Sequence, residues 1–522
     1  MSRPAVVLAG GALFSLAVLA FVWSNFHSSV YAAVVSCAGV ILFLSCLKRE
    51  YQQAVAGRSL AAVIAMPIVV WSVSLTNIWF LCLLMCFWVP LMAGRFDRIV
   101  PIYVFSILLV PSLDISAFVG GLKLFQFGVL DALAVGSAVA IYVSRQKARP
   151  RIQSDIAAMS VCLVIGMALG RETSLTNVLR STCDVVLDLG LPYYILSRGL
   201  RNKEDVRAAM LWLACGGLAL SAVLIFEVSR TWPLYNELYG LYQIPTTILV
   251  KMRGGAFRAY GPFGEATSTA MVLAMCLVAL YLLREQFRSW LHHALLLGVA
   301  FVGMSAPQSR GAWIGFFIAL AAADVFRGRY FSLCSKLIVV GAAVAVILSA
   351  AQLSPELSES VGLSGGSSAT AEYRERLLDR GMEEFWQSPV IGFPPAEVRN
   401  RLEDLKQGEG IVDFVNTYLW MGLIAGVIGV MILLAAFLYF LGSIWRNQRR
   451  MIDTAADPTA AFTFSCIVMV MEMLFFTSFG GRPAFLTFGL FGIAAALSPG
   501  RPTLLHGRVA RAETSGILTP AP

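Results

Sequence analysis

The chain has 522 residues, 58% hydrophobic and only 14% charged, with a formal charge of +9 at pH 7 and a mean hydropathy of +0.74. So apolar a composition excludes a soluble globular domain. The positive balance is read as the collection of Lys and Arg on one side of a membrane rather than as a nucleic-acid footprint. The dominant apolar runs have roughly the 20-residue length of a membrane helix and lack the alternation of a barrel strand, so the expected fold is an all-α, polytopic transmembrane bundle.

In chain order, spans are expected at residues 4–23, 29–47, 60–75, 78–93, 99–113, 125–143, 156–170, 183–196 and 208–226. The first lacks a small-residue cleavage site and reads as a retained helix. The run 99–113 is short and carries Pro101 and Pro111, so it reads as broken or re-entrant. Further spans are expected at 265–283, 291–306, 312–325, 337–351, 414–441, 460–479 and 484–497, about 14 to 16 in all. The chain thus divides into N-terminal membrane helices (1–227), membrane helices bearing Arg258 and Arg310 (228–351), a long loop (352–413), C-terminal membrane helices (414–497) and a basic, Pro-rich tail (498–522) expected to be disordered.

Alternate short loops are rich in basic residues, among them Lys48 and Arg49, Arg145 and Lys147, Arg198 and Arg201, and Arg446. That side is expected to be cytoplasmic and to hold both termini. The long loop then lies on the opposite, outer side. It opens with a flexible Gly- and Ser-rich linker at 362–368, followed at 371–385 by charge mixed with Tyr373, Leu377, Leu378, Met382 and Phe385 at helical spacing, an amphipathic helix lying over the bundle. The 10 cysteines lie in or beside apolar runs and read as small core residues; neither a disulfide framework nor a metal site is expected.

Arginines on the outer side are not needed for topology, yet Arg253, Arg258, Arg310, Arg374, Arg376, Arg380 and Arg482 fall there. A guanidinium fork suits phosphate oxygens; singly, each could equally pair with a carboxylate or a lipid headgroup. Arg310 stands in the tight turn between two apolar runs. Asp184 and Asp188 share a helix face with Arg180 and read as an internal salt-bridge ladder. Glu472 reads as a lone hydrogen-bonded carboxyl in mid-span. Glu265, at the mouth of its helix, suits capping and could also serve as a base. Trp232, Tyr235, Tyr239 and Tyr242 suit an interfacial aromatic belt or sugar stacking.

Three segments together resemble the O-antigen ligase and polymerase family: Phe257-Arg258-Ala259-Tyr260-Gly261-Pro262-Phe263; Ser309-Arg310-Gly311-Ala312-Trp313; and the stretch from Tyr373-Arg374 through Pro389-Val390-Ile391-Gly392 to Val415-Asn416-Thr417-Tyr418-Leu419 before Gly422 and Gly426. The resemblance implies a membrane glycosyltransferase handling undecaprenyl-diphosphate-linked oligosaccharide in exopolysaccharide, capsule or O-antigen assembly. Membrane lipid and other polysaccharide-assembly proteins would be its partners, with no cofactor or metal. Within these segments Arg258, Arg310, Arg374 and Asn416 are the substrate-binding candidates, and Arg482, an outer arginine beyond them, is a weaker further member of the clamp. Ligases of the family commonly place a histidine where this chain has Val415, which favours a polymerase over a ligase and leaves Asp413, then Glu265, as the base. A transporter or flippase for a lipid-linked sugar is the alternative from another class, although no duplicated halves are visible.

Overall fold

The computed structural model describes residues 27–498 except 76, 120–121, 149, 172–173, 243–251, 254–255, 354–365, 407–411 and 451–456. The expected first span at 4–23, the tail after 498 and most of the Gly- and Ser-rich linker lie outside the described residues.

The chain opens with helices α1 (His27–Cys46), α2 (Arg49–Ser74), α3 (Ile78–Ala93) and α4 (Ile99–Ser106). A hairpin of β1 (Asp114–Val119) and β2 (Leu122–Gly128) follows, antiparallel with Asp114 opposite Gly128. Then come α5 (Val129–Val143), α6 (Ile152–Leu169), α7 (Leu175–Val185), a π turn (Val186–Gly190), α8 (Leu191–Gly199), α9 (Lys203–Arg230) and the short α10 (Asn236–Leu241). A second, minimal hairpin, β3 (Met252–Arg253) with β4 (Ala256–Phe257), precedes α11 (Ala266–Leu282), α12 (Trp290–Ser305), α13 (Arg310–Phe326) and α14 (Tyr330–Leu353). The rest is α15 (Gly366–Gln387), α16 (Pro395–Arg401), α17 (Thr417–Arg450), α18 (Pro458–Met473) and α19 (Arg482–Leu497).

The architecture is a helical bundle around α9, whose central residues from Ala209 to Leu220 are buried throughout. It packs on α1, α4, α11 and α12. By length and composition, five described helices can cross a membrane, or six if α3 and the segment Phe96–Ser106 form one span bent by 118°. Six shorter apolar helices accompany them. The count by this criterion is therefore below the 14 to 16 spans expected from hydropathy.

One expectation holds and one changes. The run 99–113 is broken, as its two prolines suggested, a helix only to Ser106 and then a turn. The run 125–143 begins as strand β2, and helix starts only at Val129, where the Asp131 carboxylate accepts the Gly128 amide at 2.8 Å. Both hairpins are departures from a purely helical chain.

Two features position the site. The first is the close approach of α13 and α18. Gly311, Gly315, Ala319 and Ala323 recur every four residues on α13 and form a smooth stripe. Small residues at this spacing let two helix backbones come together. A Cβ at Gly311 would meet the Phe476 side chain at 3.4 Å, and one at Gly315 would meet Glu472 Oε2 at 2.8 Å.

The second is a joint in α17. The helix breaks at Gly426, with φ 64° and ψ −165°, and residues 389–393 fill the break. The Val427 amide donates to Pro389 O at 2.8 Å and the Phe393 amide to Leu423 O at 2.7 Å. Gly392, at φ 63°, lies against Leu423 O, where a Cβ would come within 2.3 Å. Arg171, just past α6, closes the joint by donating to Gly392 O at 3.2 Å, to Phe393 O at 2.9 Å and to Ile424 O. The segment that leads out of α15 is thereby tied into a membrane helix.

Candidate functional site

The α12–α13 connection is as tight as the sequence suggested. Gln308 sits at φ 53°, in the left-handed region that non-glycine residues seldom adopt. Ser309 is the extended N-cap residue of α13, yet its side chain makes no cap hydrogen bond. Arg310 is the first helical residue. Its Nη2 is buried and has no acceptor among the described residues, and the same holds for Trp313 Nε1 one turn later.

Above this turn lies α15, the expected amphipathic helix. Its buried side runs through Tyr373, Leu377, Gly381 and Glu384, while Leu378 and Met382 face outward. Arg374 passes over the Phe476 ring, 5.6 Å from its centroid, and Phe476 is the residue that touches Gly311. Partial burial pushes the Arg374 guanidinium below its usual range; the Asp413 carboxylate draws it back up and the Arg310 charge pushes it down. Arg374 is therefore within electrostatic reach of both Arg310 and Asp413. The Asp413 backbone is held on both sides by one hydroxyl: Tyr373 Oη donates to Asp413 O and accepts the Asp413 amide, each at 3.1 Å. The Asp413 carboxylate itself is exposed. Asn416 acts as the N-cap of α17, its Oδ1 accepting the amides of Tyr418 at 3.0 Å and Leu419 at 3.1 Å.

Arg258 borders this group. Its Nε donates to Pro307 O at 3.0 Å, three residues before Arg310, and the Ala259 amide donates to Ala306 O at 3.3 Å. The loop that carries it is fixed from below by Glu227, a fully buried carboxylate on α9 that accepts the Gly261 and Leu234 amides at 3.0 Å each. Thr269 Oγ1 and Tyr239 Oη add hydrogen bonds of 2.8 Å to Tyr260 O and Pro262 O. Sequence reasoning passed over Glu227; an acidic residue near the end of a long apolar run was the available signal.

Arg482 and Glu265 are placed elsewhere. Arg482 is buried, with Nε donating to Ser112 Oγ, Nη1 to Ile107 O and Nη2 to Val110 O, each at 2.9 Å, and with its guanidinium 3.7 Å from the Phe263 ring centroid. All three of its nitrogens are thus committed to holding the turn after α4. Glu265 occupies the N-cap position of α11 but makes no cap bond; its carboxylate pairs with Ser268 Oγ. Both line a separate cavity of about 350 Å³ with Asp114, Asp131, Asp184 and Asp188.

Three further expectations are corrected. Arg180 donates to Asn177 Oδ1 and Lys123 O rather than to Asp184, and Asp188 lies in the π turn; among the described residues neither carboxylate forms an ion pair. Glu472 is not hydrogen-bonded: both carboxyl oxygens are buried without a partner among the described residues, facing Gly315. Of the aromatics after α9, two are core residues and so belong to neither a belt nor a platform, while Trp232 and Tyr242 are half-buried. Tyr235 and Tyr239 are buried, Trp232 packs on Tyr31 and Phe226, and Tyr242 donates to Ser74 O.

Residues 294–434 match a family model described as O-antigen ligase. No curated protein matches the chain. The matched stretch includes Arg310, Trp313, Arg374, Asp413 and Asn416 and leaves out Arg258, Glu265, Glu472 and Arg482. Over that stretch the chain is similar to the O-antigen ligase family, and five of its described helices are long and apolar enough to cross a membrane.

Proposed function

We propose that the protein is a glycosyltransferase of the bacterial inner membrane that joins undecaprenyl-diphosphate-linked glycan units at the periplasmic face, as a polysaccharide polymerase. The observation that carries this reading is the convergence of Arg310, Arg374 and Asp413 inside the family-matched stretch. Two guanidinium groups at one membrane mouth suit a diphosphate, and a carboxylate beside them suits proton removal.

In the reaction, an acceptor hydroxyl attacks the anomeric carbon of the lipid-linked sugar from the face opposite the diphosphate. The bond between that carbon and the diphosphate oxygen breaks, and its electron pair leaves with the diphosphate. Arg310 and Arg374 stabilise the charge that develops there, with Arg258 at the rim, so no metal is called for in this scheme. The proton of the hydroxyl passes to Asp413, whose backbone Tyr373 holds. Val415, where family ligases carry a histidine, packs partly against the core; it offers no base, which favours the polymerase over the ligase. Arg482, whose donors are committed to the turn after α4, has no part in this scheme, and Asn416 serves it by capping α17 just after Asp413.

Purified protein in liposomes, supplied with labelled lipid-linked repeat units, should lengthen the glycan and release the lipid diphosphate. Removal of one preorganised charge donor typically costs about 100- to 1,000-fold in rate, so Arg310→Ala at unchanged stability should nearly abolish joining. Translocation of the labelled lipid without joining would instead identify a transporter.

A further inference from the structure

Trp313 stands one turn after Arg310 on α13, at a spacing that puts the two side chains on one side of the helix. Side chains of an α-helix lean toward its N-terminus, so an indole at this position covers the turn that starts with Arg310. Trp313 Nε1 and Arg310 Nη2 are both buried, and neither has an acceptor among the described residues. A buried indole N–H ordinarily finds a partner. Trp313 therefore carries a polar atom whose desolvation is uncompensated inside the protein, although a phenylalanine could fill most of the same space. The two orphan donors share one helical turn. That turn is also the N-terminus of α13, where the Ser309 side chain leaves the first amides uncapped.

We propose that the Trp313 indole N–H is a second, direct donor to the anion held by Arg310, contacting an oxygen of the lipid-linked diphosphate. This rests on the reading of the α13 mouth as the diphosphate site. Arginine supplies charge and a planar fork. The indole supplies a single fixed N–H with no ionisation of its own, which selects for an acceptor oxygen at one position. As the glycosidic bond breaks, charge grows on the diphosphate and the same N–H strengthens its hold without moving.

The test uses the full-length protein in detergent with farnesyl diphosphate as the probe and farnesol as the uncharged control. Trp313→Phe keeps the ring and deletes the N–H. The loss of one hydrogen bond to a charged group should weaken farnesyl diphosphate binding about 10- to 100-fold, leave farnesol binding unchanged, and slow joining of lipid-linked repeats. In the wild-type protein, one of the 11 indole resonances should move downfield on addition of farnesyl diphosphate and not of farnesol, and should be missing from Trp313→Phe. If Trp313→Phe is less stable than wild type, the indole spectrum of the wild-type protein decides alone, since a packing role predicts no downfield movement. Unchanged diphosphate affinity in Trp313→Phe, with weakened affinity in Arg310→Ala, overturns the role of Trp313 and leaves the site assignment standing. Unchanged affinity in both variants, or no binding by wild type, overturns the site assignment itself.

Discussion

Replacing Gly426 with alanine tests whether the joint in α17 holds the outer helix in place. The residue sits at φ 64° and ψ −165°, a region open essentially to glycine alone, and forcing another residue there costs about 1–3 kcal/mol. The new methyl would lie 2.1 Å from Val390 O and 2.5 Å from the Ile391 amide nitrogen. Those are backbone atoms, so residues 389–393 must withdraw. Withdrawal breaks the Val427 to Pro389 and Phe393 to Leu423 hydrogen bonds of 2.8 and 2.7 Å. With about 0.5–1.5 kcal/mol for each of these, the total destabilisation is about 2–6 kcal/mol. The assay is thermal unfolding in detergent alongside glycan joining in liposomes. Gly442→Ala is the control: that glycine is helical and has nothing within 4 Å, so alanine should be neutral or stabilising by up to about 1 kcal/mol. The expected result for Gly426→Ala is a lower Tm and a slower joining rate, because α15 and Arg374 lose their seat. If Gly426→Ala matches Gly442→Ala in both measurements, the joint does not position the site.

Two other substitutions separate structural from chemical roles. Arg482→Ala should lower stability by about 3–5 kcal/mol, because it strands Ser112, Ile107 O and Val110 O at once; Arg482→Lys should not restore it, lacking the planar fork. A Tm equal to wild type for Arg482→Ala would contradict the packing described. Glu472→Met removes two buried oxygens without partners and keeps the side-chain volume, so it should raise stability by about 1–3 kcal/mol. A fall in Tm on that change would reveal a partner for Glu472.

Much of the site was legible from sequence because its parts are local. Two apolar runs parted by Ser309 and Arg310 gave a helix, turn and helix close to the observed α12 and α13, and the spacing of Tyr373, Leu377 and Phe385 gave α15. The order of the three resembling segments then grouped Arg310, Arg374 and Asp413. What stayed hidden depends on burial and on distant partners. Nothing near Arg482 in sequence shows that its acceptors lie at residues 107–112, more than three hundred positions earlier. The strand β2 was concealed because it runs into α5 with no break in hydrophobicity. The π turn shifts Asp188 by a fraction of a turn that a regular helical wheel does not contain. Tyr235 and Tyr239 have the composition of an interface belt, and only the ring contact of Tyr235 with Trp71 and the hydrogen bond of Tyr239 to Pro262 O mark them as core.

The break at Gly426 also divides α17 into unequal parts. Residues 427–450 make a helix about 36 Å long at 1.5 Å per residue, enough to cross the roughly 30 Å of hydrocarbon unaided. The short piece, residues 417–425, is free of that duty, and it is the piece that carries the Asp413 loop at its start and meets residues 389–393 at its end. Residues 389–393 hydrogen-bond to Val427 on the long piece and to Leu423 on the short one, so the two pieces are clasped at one angle across the break. The candidate groups at the head of the short piece are thereby braced on the spanning piece.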